Sequence, residues 1–293
     1  FENIIKYISG FKSNLTFPSF NNIFILFYYL IFIFFMTNKK WINKNIFSLI
    51  LLVLIVYNKA YLNPTYQLIF LDVDQGDTTI FITPYNQEVI VIDAYGSILS
   101  TLKKMGVRKI DYLILTHPDN DHVREANNLI SDLAVETVLI NPYDSYDLIE
   151  SNFIKIKDED KIINSNFEIN FLSPNKNYYN NNDNSLAFQL KYLNNKVLFL
   201  GDISKNVELE MIKRYGGILE SNILKLAHHG SKTSTSSNLL SSVKPKDIII
   251  SVGLNNIYGF PHKEVLELLD GNYNVYRTDI NYTISYISVN NIT

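Results

Sequence analysis

The 293-residue sequence contains no cysteine, and only 19% of its residues carry a charge. The absence of cysteine excludes disulfide bonds and thiolate metal sites, and it leaves the redox compartment open. The start of the chain lacks the basic stretch, apolar run and small-residue cleavage site of a signal peptide. No internal repeat with a period of roughly 20–50 residues is present. The chain does have 47% hydrophobic residues, enough for a large core or a membrane segment.

The charges are divided unevenly along the chain. Residues 1–62 carry six lysines and one glutamate, a net charge of +5, whereas residues 63–293 carry 20 basic and 28 acidic side chains, a net charge of −8. Contacts to nucleic-acid phosphates need clustered lysine and arginine, so residues 63–293 are not a nucleic-acid binder by bulk charge. An anionic substrate would have to be held locally, for example by metal ions.

Two blocks near the start of the chain are uncharged and apolar on all sides, Ile23–Met36 and Ile46–Tyr57. Each is shorter than the roughly 30 Å of hydrocarbon in a bilayer, but with its flanks each approaches the roughly 20 residues that a span requires. The connecting loop, residues 37–45, carries three lysines, which favours the cytoplasmic side. We therefore expect residues 1–62 to form a transmembrane hairpin of a multi-pass protein of the cell membrane. Residues 63–293 are then a soluble domain on the outer face, and a soluble helical hairpin is the alternative.

From Tyr66 onward, short runs rich in β-branched and aromatic residues alternate with amphipathic segments. Runs such as "YQLIFLDV", "TTIFITP" and "QEVIVIDA" predict strands, whereas "SILSTLKKMGV", "HVREANNLISDLA" and "NVELEMIKRYG" predict helices. The Asn-rich segment "SPNKNYYNNNDNS" is polar and predicts a surface loop. This order predicts an α/β fold in which sheets are covered by helices in a layered sandwich.

Four potential metal ligands follow the apolar run "IDYLILT" within the segment "THPDNDH": His117, Asp119, Asp121 and His122. Side chains at positions i and i+2 of an extended turn face the same way, so His117 and Asp119 can hold one ion. Asp121 and His122 turn into the following helix and can hold a second. Without a cation, this many Lewis bases would repel one another or stay unsatisfied. Two divalent ions several ångströms apart suit hydrolysis, and imidazole with carboxylate ligands suits Zn²⁺ or Mn²⁺.

Two further histidines and two acids also stand at the ends of predicted strands. His228 and His229 follow "ILKLA", while Asp93 lies in "VIDA" and Asp202 ends "VLFLGD". In an α/β fold the carboxyl ends of the strands expose side chains into one crevice. His262, in "YGFPHKEV", is more simply explained as a capping residue at a helix start.

Several of these segments resemble the motifs of ComEC-type competence proteins, which are membrane proteins of DNA uptake with a metallo-β-lactamase-like extracellular domain. "THPDNDH" resembles the metal motif of the metallo-β-lactamase superfamily, in the variant with Asp at the middle His. "FLDVDQGDTTIF", "VIDA", "VLFLGDI", "ILKLAHHGSKTSTS" and "ISVGLNNIYGFPH" stand in the order found in the competence family. The resemblance covers about Gln67 to Leu269. It implies an αββα sandwich that binds two divalent ions, and the preceding hairpin resembles the end of the family's channel region.

The resemblance also implies the roles of individual residues. The implied metal ligands are His117, Asp119, Asp121, His122, Asp202 as the bridging ligand, and one of His228 or His229, of which His229 is favoured. Asp121 and His122 would be the catalytic residues. The segment "HGSKTSTS" further offers N–H groups and hydroxyls for a phosphate, with His228, Ser231 and Lys225 or Lys232 as its contacts.

Three departures from the family pattern stand out: Asp74 replaces a usual Gly, Arg124-Glu125 replace a Gly pair, and Phe260 replaces the His of "YGHP". We expect two-metal hydrolysis of phosphodiesters, in which the domain degrades the DNA strand left behind during uptake of the other. The expected partners are DNA, the membrane and other DNA-uptake components. One alternative is a hydrolase of the same fold that acts on a lactone, thioester or phosphocholine ester. The other is a catalytically impaired domain that gates or scaffolds a channel, which Phe260 and Arg124-Glu125 favour.

Overall fold

The computed structural model describes residues 59–149 and 152–289, together with three helical residues, Tyr29, Leu30 and Ile33. The hairpin predicted over residues 1–62 therefore lies outside the described residues, apart from those three and residues 59–62. Within the part of the chain that is described, no helix is long and apolar enough to cross a membrane.

The chain divides into two compact units. One consists of residues 1–63 with residues 100–107, and the other of residues 64–99 with residues 108–293. The second unit contains two seven-stranded sheets and all the predicted site residues.

The first sheet combines antiparallel and parallel strands. Its strands are β1 (Thr65–Phe70), β2 (Thr79–Ile82), β3 (Val89–Ile92), β4 (Lys109–Ile114), β5 (Ala134–Ile140), β6 (Phe153–Lys155) and β14 (Ile284–Val289). Their order across the sheet is β14-β1-β2-β3-β4-β5-β6. The pairs from β14 to β3 are antiparallel, and those from β3 to β6 are parallel.

The second sheet repeats this arrangement. Its strands are β7 (Lys161–Ile163), β8 (Glu168–Ser173), β9 (Ala187–Tyr192), β10 (Asn195–Phe199), β11 (Ile223–Lys225), β12 (Asp247–Ile250) and β13 (Asn274–Arg277). Their order is β13-β12-β11-β10-β9-β8-β7. The pairs from β7 to β10 are antiparallel, and those from β10 to β13 are parallel.

The helices of the described part are short. They are α1 (Ile98–Met105), α2 (Asn120–Val123), α3 (Ala126–Asp132), α4 (Lys205–Tyr215), α5 (Ser237–Val243), α6 (Lys263–Leu269) and α7 (Thr278–Asn281). Single 3₁₀ turns lie at Lys59–Leu62, Pro84–Asn86, Gly216–Leu219 and Ala227–Gly230.

Aromatic side chains fill the space between the two sheets. Tyr192 of the second sheet contacts Tyr66 and Phe81 of the first, with ring centroids 5.6 and 4.9 Å apart. Phe188 and Phe199 stack at 5.0 Å. Truncating a buried phenyl ring costs roughly 3–5 kcal/mol, so this layer holds the two sheets together firmly.

Helices α4, α5 and α6 cover the outer face of the second sheet. Their buried side chains include Val207 and Met211 of α4, Leu239 and Leu240 of α5, and Val265 of α6. These pack on one face of β10, β11 and β12, whose alternate residues point into the layer between the sheets. The prediction of sheets covered by helices is confirmed here.

The structure corrects two details of the predicted elements. The single helix predicted over "HVREANNLISDLA" is two helices, because Glu125 leaves helical geometry and its N–H donates to the carbonyl of Ala94. Strands β6 and β7 have no predicted counterpart. Both have three residues and are largely exposed, so they carry no alternation of buried and exposed residues from which a strand is predicted.

Candidate metal centre

The predicted site residues meet where parallel strands of both sheets end. Asp93 follows β3 directly, and the segment that contains His117 follows β4 in the same sheet. In the second sheet, Asp202 follows β10 and the two adjacent histidines follow β11. The carboxyl ends of parallel strands share one edge of a sheet, which explains why these distant segments converge.

Asp202 lies between two buried histidines. Its Oδ2 atom is 3.8 Å from Nε2 of His117, and its Oδ1 atom is 3.5 Å from Nε2 of His122. Nε2 of His228 is 3.9 Å from the Oδ2 atom, and Oδ2 of Asp119 is 3.8 Å from Nε2 of His117. His117, Asp119 and His228 therefore form one group around the Oδ2 side of Asp202.

Asp121, His122 and His229 form a second group. Oδ2 of Asp121 is 3.2 Å from Nε2 of His229, and the imidazole centroids of His122 and His229 are 5.7 Å apart. The rings of His117 and His122 connect the two groups at 4.1 Å. Both adjacent histidines thus reach the site, His228 in the first group and His229 in the second.

The adjacent histidines reach both groups because of an unusual backbone. His228 and His229 have φ angles of 51° and 53°, in the left-handed region that residues other than glycine seldom adopt. Gly230 follows, and a Cβ atom there would lie 2.7 Å from Pro261. The close packing of this turn holds the two strained residues in place.

One carboxylate orients two of the imidazoles. Oδ2 of Asp93 accepts a hydrogen bond from Nδ1 of His122 at 2.8 Å. The hydroxyl of Thr116 donates to Asp93 at 3.0 Å and lies 3.1 Å from Nδ1 of His117. Because that hydroxyl has its proton directed to Asp93, it accepts from Nδ1–H of His117. In their neutral forms, both rings then present an unprotonated Nε2 atom to the site.

His229 is oriented by the backbone. Its Nδ1–H donates to the carbonyl oxygen of Ser251 at 2.9 Å. The Nε2 atom therefore faces the carboxylate of Asp121 without a proton of its own. Two acceptors 3.2 Å apart need a shared proton or a cation between them.

Burial and neighbouring charges shift the pKa values of several groups in the metal-free site. Burial raises the pKa of Asp202, but His122 and then His117 hold it well below its usual value. Burial lowers the pKa of His122, but Asp202 and Asp93 raise it well above its usual value. The pKa of His117 is lowered, first by burial and then by the neighbouring His122. In the metal-free site, a proton on His122 thus balances the buried carboxylates.

These residues fit divalent metal ions. Nε2 of His117, Nε2 of His122 and Oδ1 of Asp202 are buried and have no hydrogen-bond partner among the described residues. Such atoms are costly unless something binds them. Imidazole nitrogen with carboxylate oxygen is the donor set of Zn²⁺ and Mn²⁺.

Asp77 is a buried acid at the site that the sequence analysis missed. One of its oxygens lies within 4.8 Å of ligand atoms of His122, Asp202 and His229. However, Nζ of Lys225 is 2.8 and 2.9 Å from the two oxygens of Asp77. Burial raises the pKa of Asp77, but Lys225 and then His229 lower it to about 2. Because the ammonium group contacts both oxygens, we assign Asp77 to Lys225 rather than to the ligand set. The signal for it was the second Asp of "DQGD".

The residues predicted to hold a phosphate are mostly engaged within the protein. Lys225 is paired as described above, and Oγ of Ser231 lies 2.9 Å from Oγ1 of Thr233. Two backbone N–H groups, of residues 235 and 236, donate to the buried carboxylate of Glu208. A phosphate bound here would have to compete with these internal hydrogen bonds.

The Asn-rich loop lies largely at the surface, as predicted, and it also contacts the site. Nδ2 of Asn181 donates to Oδ1 of Asp119 at 3.0 Å. Asn184 and Ser185 are buried, and Oγ of Ser185 accepts the N–H of Asp202 at 3.1 Å. This loop therefore helps to position two of the predicted ligands.

The fold accommodates two of the departures noted in the sequence. Asp74 is exposed and has a φ of 61°, a conformation that Asp adopts more readily than most residues. The guanidinium of Arg124 lies 5.9 Å from the centre of the Tyr95 ring, and Oε2 of Glu125 accepts from Asn128 at 2.7 Å. These side chains make their own local contacts.

His262 begins α6 as expected, but its side chain makes no capping hydrogen bond there. Its Nδ1 atom accepts the backbone N–H of Lys232 at 3.2 Å instead. The histidine thus links α6 to the segment that follows His229.

Comparison with known proteins agrees with this geometry. A family profile described as "Metallo-beta-lactamase superfamily" matches residues 71–253. "ComE operon protein 3" of Bacillus subtilis (strain 168) is 29% identical over 250 residues, which cover 74% of this chain and 32% of that protein. "Recombination protein 2" of Haemophilus influenzae is 32% identical over 235 residues, which cover 76% of this chain and 29% of that protein. "Competence protein ComA" of Neisseria gonorrhoeae is 29% identical over 180 residues, covering 60% and 25% of the two chains.

The chain spans about a third or less of the length of these curated relatives. Among solved structures, a metallo-beta-lactamase fold protein from Bacillus subtilis, YhfI, aligns with a TM-score of 0.53 at 12% identity. The alignment covers 77% of this chain and 100% of that one. A metallo hydrolase from Ignicoccus hospitalis aligns with a TM-score of 0.52 at 12% identity, over 75% and 98% of the chains. These matches confirm the resemblance stated from the motifs.

Proposed function

The chain belongs to the metallo-β-lactamase superfamily, and from that premise we propose that it is the metal-dependent phosphodiesterase domain of a membrane DNA-uptake protein. Its substrate is the DNA strand that is not transported. The observation that supports this most strongly is the pair of ligand groups around Asp202. Two adjacent groups of nitrogen and oxygen ligands with one carboxylate between them suit a pair of divalent ions.

Two Mn²⁺ or Zn²⁺ ions would be held by the ligands at the strand ends. One ion would be held by His117, Asp119 and His228. The other would be held by Asp121, His122 and His229, and Asp202 would contact both ions. When bound, such ions lower the pKa of a water molecule and neutralise the charge that develops on a reacting phosphate.

The exposure of the ligands defines the side from which a substrate reaches the site. His117, His122 and His229 are buried, whereas the side chains of Asp119 and Asp121 are 42% and 35% exposed. The phosphate would therefore reach the site from the side of the two partly exposed aspartates. The buried imidazoles would hold the ions from the protein interior. Asp93, by fixing the tautomers of two imidazoles, keeps their Nε2 atoms available.

The setting in DNA uptake rests on the relatives and on the start of the chain. One matched relative is named as a competence protein, and the motif order resembles that of ComEC-type proteins. The apolar blocks in residues 1–62 support a membrane hairpin, with the phosphodiesterase domain on the outer face. DNA, the membrane and other DNA-uptake components are the partners that this setting implies.

Strand cleavage by a matched pair of variants tests the proposal. The purified 293-residue chain with Mn²⁺ should cut a labelled single-stranded oligonucleotide, and Asp121→Ala should reduce the rate to background. Asp158→Ala is the control, because Asp158 pairs with Arg214 at 2.6 Å outside the ligand groups and should leave the rate unchanged. Melting curves in chelator should show that both variants remain folded.

The alternatives predict other outcomes of the same experiment. Rapid hydrolysis of a lactone or thioester without strand cleavage would replace the phosphodiesterase with a small-ester hydrolase. Bound metal without turnover of any of these substrates would favour a gating or scaffolding domain.

A further inference from the structure

The loop between β12 and α6 presents apolar side chains to solvent beside the metal centre. Leu254, Ile257 and Tyr258 are 69%, 92% and 59% exposed. Exposing large apolar side chains together is unfavourable in water unless the surface has a binding role. The loop borders the site because His262, at its end, donates its backbone N–H to the carbonyl of Gly230 at 3.0 Å.

Three rings in this region stack in sequence toward the metal centre. Tyr258 and Phe260 are nearly parallel, with centroids 5.5 Å apart and an interplanar angle of 17°. Phe260 stacks in turn on the imidazole of His229 at 6.0 Å and 27°. His229 faces Asp121, so the stack leads directly to the predicted ligands. One face of the Tyr258 ring lies toward Phe260. The exposed surface of this side chain is therefore on the opposite face of the ring.

The loop that carries the rings is held in a defined conformation. Nδ2 of Asn256 donates to the carbonyl oxygens of Gly253 and Phe260, and its Oδ1 atom accepts the N–H of Phe260 at 2.9 Å. At the base of the loop, the N–H of Gly253 donates to the side chain of Gln75 at 3.1 Å. The aromatic surface is therefore preformed, which lowers the entropic cost of binding a flat ligand.

Lysines stand next to this stack. The exposed Lys232 donates its backbone N–H to His262, whose ring lies 5.1 Å from that of Phe260. Nζ of Lys205 donates to the carbonyl of Lys232 at 2.8 Å. Among the described residues Lys232 forms no salt bridge, and it interacts electrostatically with the exposed Glu264. A positive charge beside an aromatic stack is the combination that binds the phosphates and bases of a single strand.

We propose that the outer face of Tyr258, supported from behind by Phe260, is a stacking site for an unpaired base of a single-stranded nucleic acid whose phosphate lies at the metal centre. This inference rests on the proposed function and adds a subsite to it. The two ring separations of 5.5 and 6.0 Å span about three nucleotides of a stacked strand at about 3.4 Å each. A base about three nucleotides from the scissile phosphate would thus lie on the Tyr258 ring, with Lys232 near the backbone. Stacking tolerates any base, which suits a domain that degrades strands without regard to sequence.

Binding of two strands that differ only in their bases tests this site. Fluorescence anisotropy of the 293-residue chain with Mn²⁺ compares a labelled thymidine oligonucleotide with an abasic strand of the same length, both with phosphorothioate linkages that slow cleavage. The parent chain should bind the thymidine strand more tightly. Tyr258→Leu should weaken that binding by roughly 5- to 150-fold, from a stacking energy of about 1–3 kcal/mol per base. Its binding of the abasic strand should stay unchanged.

Two further variants separate stacking from a structural effect. Tyr258→Phe keeps the ring and should bind both strands as the parent does. Tyr282→Leu removes a tyrosine that is 73% exposed elsewhere on the unit, and it should have no effect on either strand. Equal binding of both strands by the parent, no binding of either, or an equal loss for both in Tyr258→Leu would overturn the proposal.

The same variants distinguish this site from a membrane contact and from the phosphodiesterase itself. If Tyr258→Leu reduced binding only to phosphatidylethanolamine–phosphatidylglycerol vesicles, the loop would be a membrane contact and the stacking site would be refuted. Base-dependent binding without any cleavage in Mn²⁺ would support the stacking site and contradict the proposed function. Cleavage of both strands with equal KM, together with equal binding of both, would support the proposed function and contradict the stacking site.

Discussion

Asp93 is the residue on which two predicted ligands depend, although it is not itself close to an ion site. It accepts hydrogen bonds from His122 and from Thr116, and Thr116 accepts from His117. A carboxylate in this position fixes which nitrogen of each ring is free to bind a metal. The neutral amide of asparagine would present an N–H where an acceptor is needed.

We expect Asp93→Asn to lower the affinity for Mn²⁺ by about 10- to 100-fold, as is typical when a partner of a metal ligand is changed. Asp111→Asn is the matched control, because Asp111 is also a buried acid that accepts a backbone N–H, that of Val89 at 2.7 Å, away from the ligands. Isothermal titration calorimetry compares the two. The same affinity in both variants would show that Asp93 does not orient the histidines.

At the residue scale, the sequence predicted those candidate site residues that stand together in the chain. His117 to His122 form one segment, and their residue types alone indicated a metal site. Asp77 and its partner Lys225 are far apart in sequence, so their pairing depends on the fold and could not be predicted. The choice between His228 and His229 also needed the structure, because the left-handed backbone brings both rings to the site.

At the scale of elements, the β1–β2 loop and strand β11 are linked by the buried pair of Asp77 and Lys225. Both side chains are 7% exposed. The loop also approaches α2 closely, since Asp77 donates its N–H to the carbonyl of Asp121, and a Cβ at Gly76 would lie 2.9 Å from that oxygen. The pair therefore contributes to the position of a predicted ligand.

We predict that Lys225→Met destabilises the metal-free chain by about 3–5 kcal/mol, because it leaves the Asp77 carboxylate buried without a partner. The double variant Asp77→Asn, Lys225→Met should recover much of this loss, since it removes both charges. Urea unfolding in chelator measures the free energies of unfolding. A double variant no more stable than Lys225→Met would contradict this account of the pair.

The elements themselves could be predicted where the pattern was strong. The buried strands around the site, such as β4 and β10, showed as continuous apolar runs. Strands β6 and β7 are exposed and have three residues each, so no pattern marked them. The break between α2 and α3 arises because the backbone of Glu125 bonds to Ala94 in another segment, a long-range contact that helical periodicity does not contain.

At the scale of the whole molecule, the metal-free site makes stability depend on pH. The folded-state pKa values of His122 and His229 are raised above the ordinary histidine value of about 6.5. Their contribution is fully present below pH 6.5 and is lost as the pH rises through the raised pKa values. The pKa of His117 is lowered instead, so its contribution to stability has the opposite sign. That contribution changes only below about pH 6.5.

We therefore expect the melting temperature in chelator to fall as the pH rises above about 6.5. Added Mn²⁺ should remove the fall, because a metal binds the unprotonated imidazoles and replaces the protons. Differential scanning fluorimetry across this range gives the profile. A melting temperature that stays constant or rises in chelator would contradict the role of His122 as the proton carrier.

The membrane hairpin remains a prediction from the sequence. Its apolar blocks flank a loop with three lysines, which predicts that residues 37–45 face the cytoplasm. A cysteine introduced at Ser48 would be buried in the membrane, whereas one at Asn38 should react only with a reagent that enters the cell. The chain has no cysteine of its own, so labelling in intact cells reports these positions alone. Labelling of position 38 by an impermeant reagent would reverse the topology.

The metal content of the purified chain tests the central claim, that the ligands around Asp202 bind divalent ions, most directly. Inductively coupled plasma mass spectrometry after loading with Mn²⁺ or Zn²⁺ and desalting should give about two ions per parent chain. Asp202→Asn should retain fewer, because it removes the carboxylate that both groups share. A parent chain that retains no metal, or an Asp202→Asn variant that retains as much as the parent, would contradict the account.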